Sequence, residues 1–237
     1  MYPLFYLSES LESTNEAILN YHTPSRPNIA IYTFNQINGK GQYGNTWKMP
    51  KDQNIAYSLL IDASLIPIGG NFVNFYTAVI IRDFLDNLSD EEVFIKWPND
   101  IIINRKKVVG ILIEQIKIDG KSFYIIGIGI NVLQRDFSEL TKAGSILTQT
   151  HQRFNLTSLS ENFHFYFTKH ITHQPSYNIL ERYNHHLFCR NSVALFSKSN
   201  IRQNGIIQYA DEKGFLHILL EKDGLQKFFH KEIEMLY

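Results

Sequence analysis

Residues 34–50 read FNQINGKGQYGNTWKMP. Gly39, Gly41 and Gly44 spell G-x-G-x-x-G, the fingerprint of a dinucleotide-binding turn, and the fold depends on whether that spelling has its structural context. The fingerprint works where a strand leads in and a helix leads out, so that a pyrophosphate rests on the helix N-terminus. The strand is present: residues 29–34, Ile-Ala-Ile-Tyr-Thr-Phe, are β-branched and aromatic. The helix is not. Gly44 is followed by Asn45, Thr46, Trp47, Lys48, Met49 and Pro50, then by polar residues 51–53, and the next patterned segment, 54–62, reads as another strand. The glycines therefore lie in a long basic strand–loop–strand connection. No G-x-x-x-x-G-K-[ST] occurs, which removes a P-loop as well. A long loop without secondary structure of its own is usually functional or disordered.

Outward from this loop the pattern is mixed. Residues 2–7 read as a short strand. Ser13-Thr14-Asn15-Glu16 matches a capping box ahead of a helical run over 17–21. Residues 71–88 give an amphipathic helix with Phe72, Phe75, Tyr76, Val79, Ile80 and Phe84 on one stripe. Strands follow at 93–97, 100–104, 108–118 and 123–132, with Asp119-Gly120 as a tight hairpin. Residues 158–188 read as two helices broken near Pro175. From about Asn191 short strands are separated by Asn204-Gly205, Lys213-Gly214 and Asp223-Gly224, the texture of a small β-barrel. The expected boundary divides residues 1–188 from 189–237.

At 237 residues, 44% hydrophobic and 14% aromatic, the chain has material for a sizeable core. Its 23 basic and 23 acidic residues balance, which argues against a dominant nucleic-acid or membrane-surface role. One cysteine, Cys189, excludes an internal disulfide and cysteine-rich zinc sites, and reads as a packed thiol. The N-terminal residues lack the basic segment of a signal peptide, and no apolar run approaches the ~18–20 residues of a membrane span, so a cytoplasmic protein without membrane association is expected.

Four stretches carry chemistry. The loop is one. Lys96-Trp97-Pro98-Asn99-Asp100 is the second, since Pro98 between two strands fixes a turn that presents Lys96, Asn99 and Asp100 close to Arg105, Lys106 and Lys107. A carboxylate beside several amines suits phosphate and Mg²⁺ chemistry, or else is a solvated polar turn. Residues 126–131, Ile-Gly-Ile-Gly-Ile-Asn, make a strand with one bare face, open to a ligand or to close packing. Ser13-Thr14-Asn15 offers hydroxyls and N–H groups at a helix start, or simply a cap. The nine histidines, His170, His173 and the pair His185-His186 among them, form no metal-ligand spacing, and no G-x-S-x-G is present.

In this order the four stretches resemble the biotin–protein ligase family: Ser13-Thr14-Asn15, Q-x-x-G-K-G-x-x-G-x-x-W over 36–47, Lys96 to Asp100 with Lys107 and Gly110, and Gly127-x-Gly129-Ile-Asn131. The resemblance covers about residues 5–135 by motif and the remainder by pattern. It implies an α/β (α+β) mixed-sheet catalytic domain like that of class II aminoacyl-tRNA synthetases, with a small SH3-like β-barrel at the C-terminus. It implies two steps, biotin and ATP giving biotinyl-adenylate, then transfer to a lysine of a biotin carboxyl carrier protein domain. By the same resemblance Lys107 holds the biotin carboxylate and the α-phosphate, and Lys40 joins it as a catalytic cation. Ser13, Thr14, Asn15, Gln36, Gly39, Gly41 and Gly110 complete a biotin site. Lys40, Gln42, Trp47, Lys96, Asn99, Asp100 and Asn131 form an ATP site, with Asn99 and Asp100 toward Mg²⁺. No group need serve as nucleophile, and the glycines would let the loop fold over a reactive adenylate.

The loop departs from the family in carrying Gln42 and Tyr43 where arginine is frequent, which predicts closure less driven by charge. The C-terminal residues 231–237 match only loosely. A strand starting at residue 2 leaves no room for an N-terminal helix-turn-helix, so DNA is not an expected partner. A homodimer paired edge to edge through strands near 100–130 is compatible with the sequence. A lipoate–protein ligase is the nearest rival, and a non-catalytic biotin- or carrier-binding module the rival from another class.

Overall fold

The computed structural model describes residues 2–237, Tyr43 by its backbone alone. Along the chain come β1 (Leu4–Tyr6), helix α1 (Thr14–Ala17), β2 (Ile29–Thr33), a hairpin of β3 (Gly39–Lys40) and β4 (Thr46–Trp47), β5 (Asn54–Asp62), α2 (Asn71–Asp86), β6 (Val93–Lys96), β7 (Asp100–Ile103), β8 (Lys106–Ile118) and β9 (Lys121–Asn131). The helices α3 (Ile146–Thr150), α4 (Leu156–Ile171) and α5 (Ile179–His185) follow. Then come β10 (Val193–Lys198), β11 (Ile201–Ala210), β12 (Leu216–Leu220), β13 (Gly224–Phe228) and β14 (Glu234–Leu236). A seven-stranded sheet runs β1-β2-β5-β9-β8-β7-β6, antiparallel except for β1 on β2. A five-stranded antiparallel sheet runs β13-β12-β11-β10-β14. This is the mixed α/β architecture expected.

Strand alternation in β9 divides the molecule into two layers. Ile126, Ile128 and Ile130 are buried in the main core with Ile55, Tyr57 and Leu59 of β5, the apolar stripe of α2, and Phe163 and Phe167 of α4. The intervening Gly127, Gly129 and Asn131 face the other way, toward α1 and the β3–β4 hairpin. One face of the sheet is thus a packed hydrophobic layer; the other carries a smaller apolar cluster of Ile18, Ile29, Ile31, Leu60, Phe123 and Ile125 and, beyond it, small and polar side chains.

Two anchors hold the β6–β7 turn. Pro98 O accepts from Asn74 Nδ2 of α2 and from Tyr183 Oη of α5, both at 2.9 Å. The five-stranded sheet docks beside this turn. Trp97 Nε1 donates to Gly214 O at 3.1 Å, and the Asn184 side chain bonds both the N–H and the C=O of Ala210. Phe196, Ile207, Leu216 and Met235 are buried in the same core as Trp97 and Leu187.

Several local expectations need correction. The capping box at Ser13 does not form: Ser13 caps nothing, and Gln36 Oε1 takes the Thr14 N–H at 2.8 Å, while Glu16 pairs with Lys40. α1 is a single turn that continues as a 3₁₀ segment over Ile18–Tyr21. Asn204-Gly205 is not a turn but the middle of β11. The reversal lies at Ser199 and Asn200, both with positive φ. Gly205 is there for packing, since a Cβ would come within 2.9 Å of Leu220 and 3.0 Å of Ile218 and Phe196. The glycine loop carries its own hairpin, and α3 arises where no element was expected. Strands 100–131 are also less exposed than the dimer expectation assumed, because β9 is paired on both sides. Among the described residues β8 beyond Gly110 is paired on one side, by β9.

Candidate active site

The floor of the site is a row of directly opposed residues running across six strands: Lys96, Asp100, Gly110, Gly129, Ala56 and Thr33. Its centre is built from the smallest side chains and its β6–β7 end from charged ones. The next row, Leu112, Gly127 and Ser58, continues the same face toward α1. Only such a row leaves room above a sheet for a second layer to approach the backbone.

Lys107 reaches this face through an irregularity. Asp100 opposes Gly110 and Ile101 opposes Val109, but Ile102 opposes Lys107, so Val108 is an extra residue in β8. In a regular strand Lys107 and Gly110, three apart, would point to opposite faces. The bulge returns Lys107 to the face of Asp100 and Gly110. Its Nζ lies 2.6 Å from Asp100 Oδ1, while Lys96 Nζ lies 3.5 Å from Asp100 Oδ2.

The roof is the glycine loop. Trp47 lies flat enough on the floor that a Cβ at Gly129 would be 2.3 Å from its Cε2, and one at Gly110 2.8 Å from its Cζ3. Lys107 Nζ sits 5.6 Å from the indole ring centroid, a cation–π contact. The buried indole Nε1 has no hydrogen-bond partner. Gly39 pairs opposite Trp47 and is packed against it and Gln36, leaving no space for a side chain. Lys40 projects to the rim, where its hydrogen bond to the Glu16 carboxylate raises its pKa.

A buried polar network fills the α1 end. Thr14 N and Oγ1 both lie within hydrogen-bond distance of Gln36 Oε1, at 2.8 and 3.2 Å. Ser58 Oγ is 2.8 Å from Thr14 Oγ1 and 2.6 Å from Asn15 Oδ1, and Asn15 Nδ2 donates to Glu114 Oε2 at 2.7 Å. Asn15 sits directly over Gly127.

Between floor and roof lies a cavity of about 120 Å³. Ser13, Thr14, Asn15, Gln36, Lys40, Gly41, Gln42, Trp47, Asn99, Asp100, Lys107 and Gly110 all line it, although they come from separate stretches of the chain. Lys96 and Asn131 line an adjoining cavity of about 900 Å³, which shares Trp47, Asp100 and Lys107 and is closed on the far side by Lys142, Met235 and Tyr237. Gly39 lines neither; it lies beneath Trp47. Asn131 Nδ2 donates to Gly144 O at 3.0 Å. Three residues were missed. Ser58 and Glu114 were hidden in ordinary strand sequence, where only register puts them on the site face. His230 arrives from the turn between β13 and β14 of the five-stranded sheet and lines both cavities.

The Asn99–Asp100 pair expected for Mg²⁺ is differently engaged. Both Asp100 oxygens face lysines, and the Asn99 amide donates to Ile111 O. No group of three or more His, Cys, Asp or Glu side chains placed for a metal occurs among the described residues. Burial and the Lys96 ammonium hold the His230 imidazole below its usual pKa. No helix among the described residues is long and apolar enough to cross a membrane.

Residues 7–131 match the model of the biotin/lipoate A/B protein ligase family. The Bifunctional ligase/repressor BirA of Bacillus spizizenii is 27% identical over 244 residues, covering 95% of this chain and 71% of that protein. The Escherichia coli protein of the same name is 28% identical over 130 residues, covering 54% of this chain and 40% of its own length, so the chain spans well under half of that relative. Among solved structures, the biotin protein ligase from Aquifex aeolicus in complex with biotin and ATP superposes with a TM-score of 0.79 at 20% identity, covering 100% of this chain and 99% of that one. The biotin acetyl coenzyme A carboxylase synthetase from Helicobacter pylori gives 0.66 at 19% identity, covering 96% and 100%. At these identities the superpositions establish the fold.

Proposed function

The chain belongs to the biotin/lipoate A/B protein ligase family, and from that premise we propose that it is an ATP-dependent biotin–protein ligase. The observation that carries the reading is the convergence of four distant sequence stretches on one cavity. Its cations are Lys40 and Lys107, and its polar end is the Thr14–Gln36–Ser58–Asn15 network. Two anions must meet there, a carboxylate and a triphosphate, and fixed cations in a partly desolvated site lower the barrier to that encounter.

In the first step a biotin carboxylate oxygen attacks the α-phosphorus of ATP, the P–O bond to the β-phosphate breaks, and pyrophosphate leaves. Lys107, aimed by the bulge, stands against both the carboxylate and the α-phosphate. The larger cavity takes the nucleotide, with Lys96 toward phosphate, Trp47 beside the base and Asn131 at its far end. Mg²⁺ enters with ATP as part of the substrate, and Asp100 works by fixing the two lysines. In the second step the ε-amine of a carrier-domain lysine attacks the acyl carbon of biotinyl-adenylate, the acyl C–O bond breaks, and AMP leaves. The loop roof keeps water from that carbon.

The polar network favours biotin over lipoate. A ureido head offers two N–H donors and one carbonyl acceptor that can join a network of buried hydroxyls and amides, while a dithiolane ring offers no N–H donor and no carbonyl acceptor. The neutral net charge favours a protein partner over nucleic acid. The one-sided half of β8 supports pairing with a second copy, and a nucleotide-dependent enzyme with one half-buried cysteine fits the cytoplasm.

ATP–pyrophosphate exchange with biotin, lipoate or no acid tests the proposal. Exchange dependent on biotin is expected. Exchange with lipoate alone moves the chain to the lipoate branch, and no exchange from folded protein supports a binding module.

A further inference from the structure

His230 is the one described residue that lines all three cavities beside the β6–β7 turn. The third, of about 340 Å³, runs from Pro98 past Ile113 and Gln115 of the one-sided half of β8 to Phe229, and meets the first cavity at Gln42 and His230. A side chain entering from the β8 edge along this cavity reaches the imidazole before it reaches the floor beneath Trp47.

We propose that His230 is the proton acceptor of the second half-reaction, taking a proton from the carrier lysine's ε-ammonium so that the free amine attacks the acyl carbon. The inference rests on the ligase reading above and extends it to a step for which the sequence offered no base.

An ammonium has no lone pair, so one proton must leave before attack. The titratable groups lining the first cavity are Lys40, Asp100, Lys107 and His230. Lys40 and Lys107 are cations, and Asp100 lies between Lys96 and Lys107. His230 is the remaining base. The charged groups facing it are Lys96 of β6, Asp100 of β7, Lys107 of β8 and its neighbour Lys231, with the Trp97 ring edge-on at 5.8 Å. Burial and the lysines keep the imidazole neutral at neutral pH, with Asp100 opposing them. An adenylate phosphate drawn in by the same lysines offsets their charge and makes the imidazole more basic when the amine arrives. The ε-ammonium gives one proton to His230 and a second to the phosphate oxygen departing with AMP, and keeps the third as the amide N–H. The imidazolium returns its proton to solvent.

The test separates the half-reactions in the full chain. Enzyme loaded with biotin and MgATP is mixed with ethylamine, which is protonated at neutral pH, or methoxyamine, which is not. In His230→Gln, transfer to ethylamine should fall about 10²-fold, while transfer to methoxyamine and biotin-dependent pyrophosphate exchange fall at least tenfold less. In His230→Ala, added imidazole should restore transfer to ethylamine. Equal falls with both amines, or transfer to ethylamine at the wild-type rate, overturn the proposal. Absence of biotin-dependent exchange in the wild type overturns the ligase reading instead.

Discussion

Lys107 Nζ and Asp100 Oδ1 stand 2.6 Å apart on adjacent strands, brought to one face by a single extra residue in β8. The pair places a cation at the middle of a floor otherwise made of Gly110, Gly129 and Ala56. Lys107→Met should lower biotin-dependent pyrophosphate exchange by about 10²–10³-fold, the scale for losing a charge-stabilising donor, with little change in thermal midpoint because the side chain is a third exposed. Asp100→Asn should cost less, since it frees both lysines without removing them. Exchange retained in Lys107→Met would remove Lys107 from the chemistry.

Gly129 and Trp47 form one packed unit. Gly129→Ala brings a methyl group to 2.3 Å from the indole, so the ring must move. Destabilisation of about 1–3 kcal/mol is expected from overpacking. In a double-mutant cycle Trp47→Ala should relieve most of it, because the clashing partner is gone. Additive costs in urea denaturation would mean that the two do not meet in solution.

Gln42 lines the first and third cavities in the loop roof. Gln42→Arg should slow release of biotinyl-adenylate by about tenfold, the effect of one charge-assisted contact worth ~1.4 kcal/mol. Release can be followed by trapping free adenylate with hydroxylamine. An unchanged rate would separate adenylate retention from loop charge.

Stability should fall as pH falls from about 6.5 to 4. His164 is buried between Tyr57 Oη and Tyr2 O, and burial lowers its pKa. His186 is lowered to about 4 by burial, with Arg82 and His185 adding to it. The unfolded chain takes up these protons near pH 6.5, and the folded chain does so only at lower pH. The stabilisation is therefore complete above 6.5 and is lost as pH drops. Urea midpoints at pH 5, 6 and 7 should show the slope, and His186→Asn should flatten it. A flat profile in the wild type would mean that both rings titrate normally.

Much of the site was legible because its residues are spelled in short local motifs. The absence of a helix after Gly44 excluded the dinucleotide fold, and the bare face of residues 126–131 announced a close approach, which turned out to be Trp47 and Asn15. What stayed hidden depends on register or on distant packing. Ser58 and Glu114 look like ordinary strand residues until β5 and β8 are aligned with β9. His230 lies in the turn between β13 and β14 of the other sheet, and no local pattern ties it to Lys96. The capping box is absent because the Glu16 side chain that would reach back to Ser13 pairs instead with Lys40, twenty-four residues away. The spacing itself carries a clue to the bulge: two site residues three apart, Lys107 and Gly110, cannot share a face of a regular strand.

That odd spacing makes the central charge a matter of counting. Deleting Val108 would leave Lys107 opposite Ile102 and two residues from Gly110, still on the site face; loss of the bulge at unchanged length, with Val108 pairing Ile102, is what would turn the ammonium of Lys107 toward the isoleucines under α2 and α4. A slip of one residue in the pairing register is therefore a more thorough lesion here than most substitutions. Among natural relatives, the interval between this lysine and this glycine should vary less than the identity of the residues that fill it.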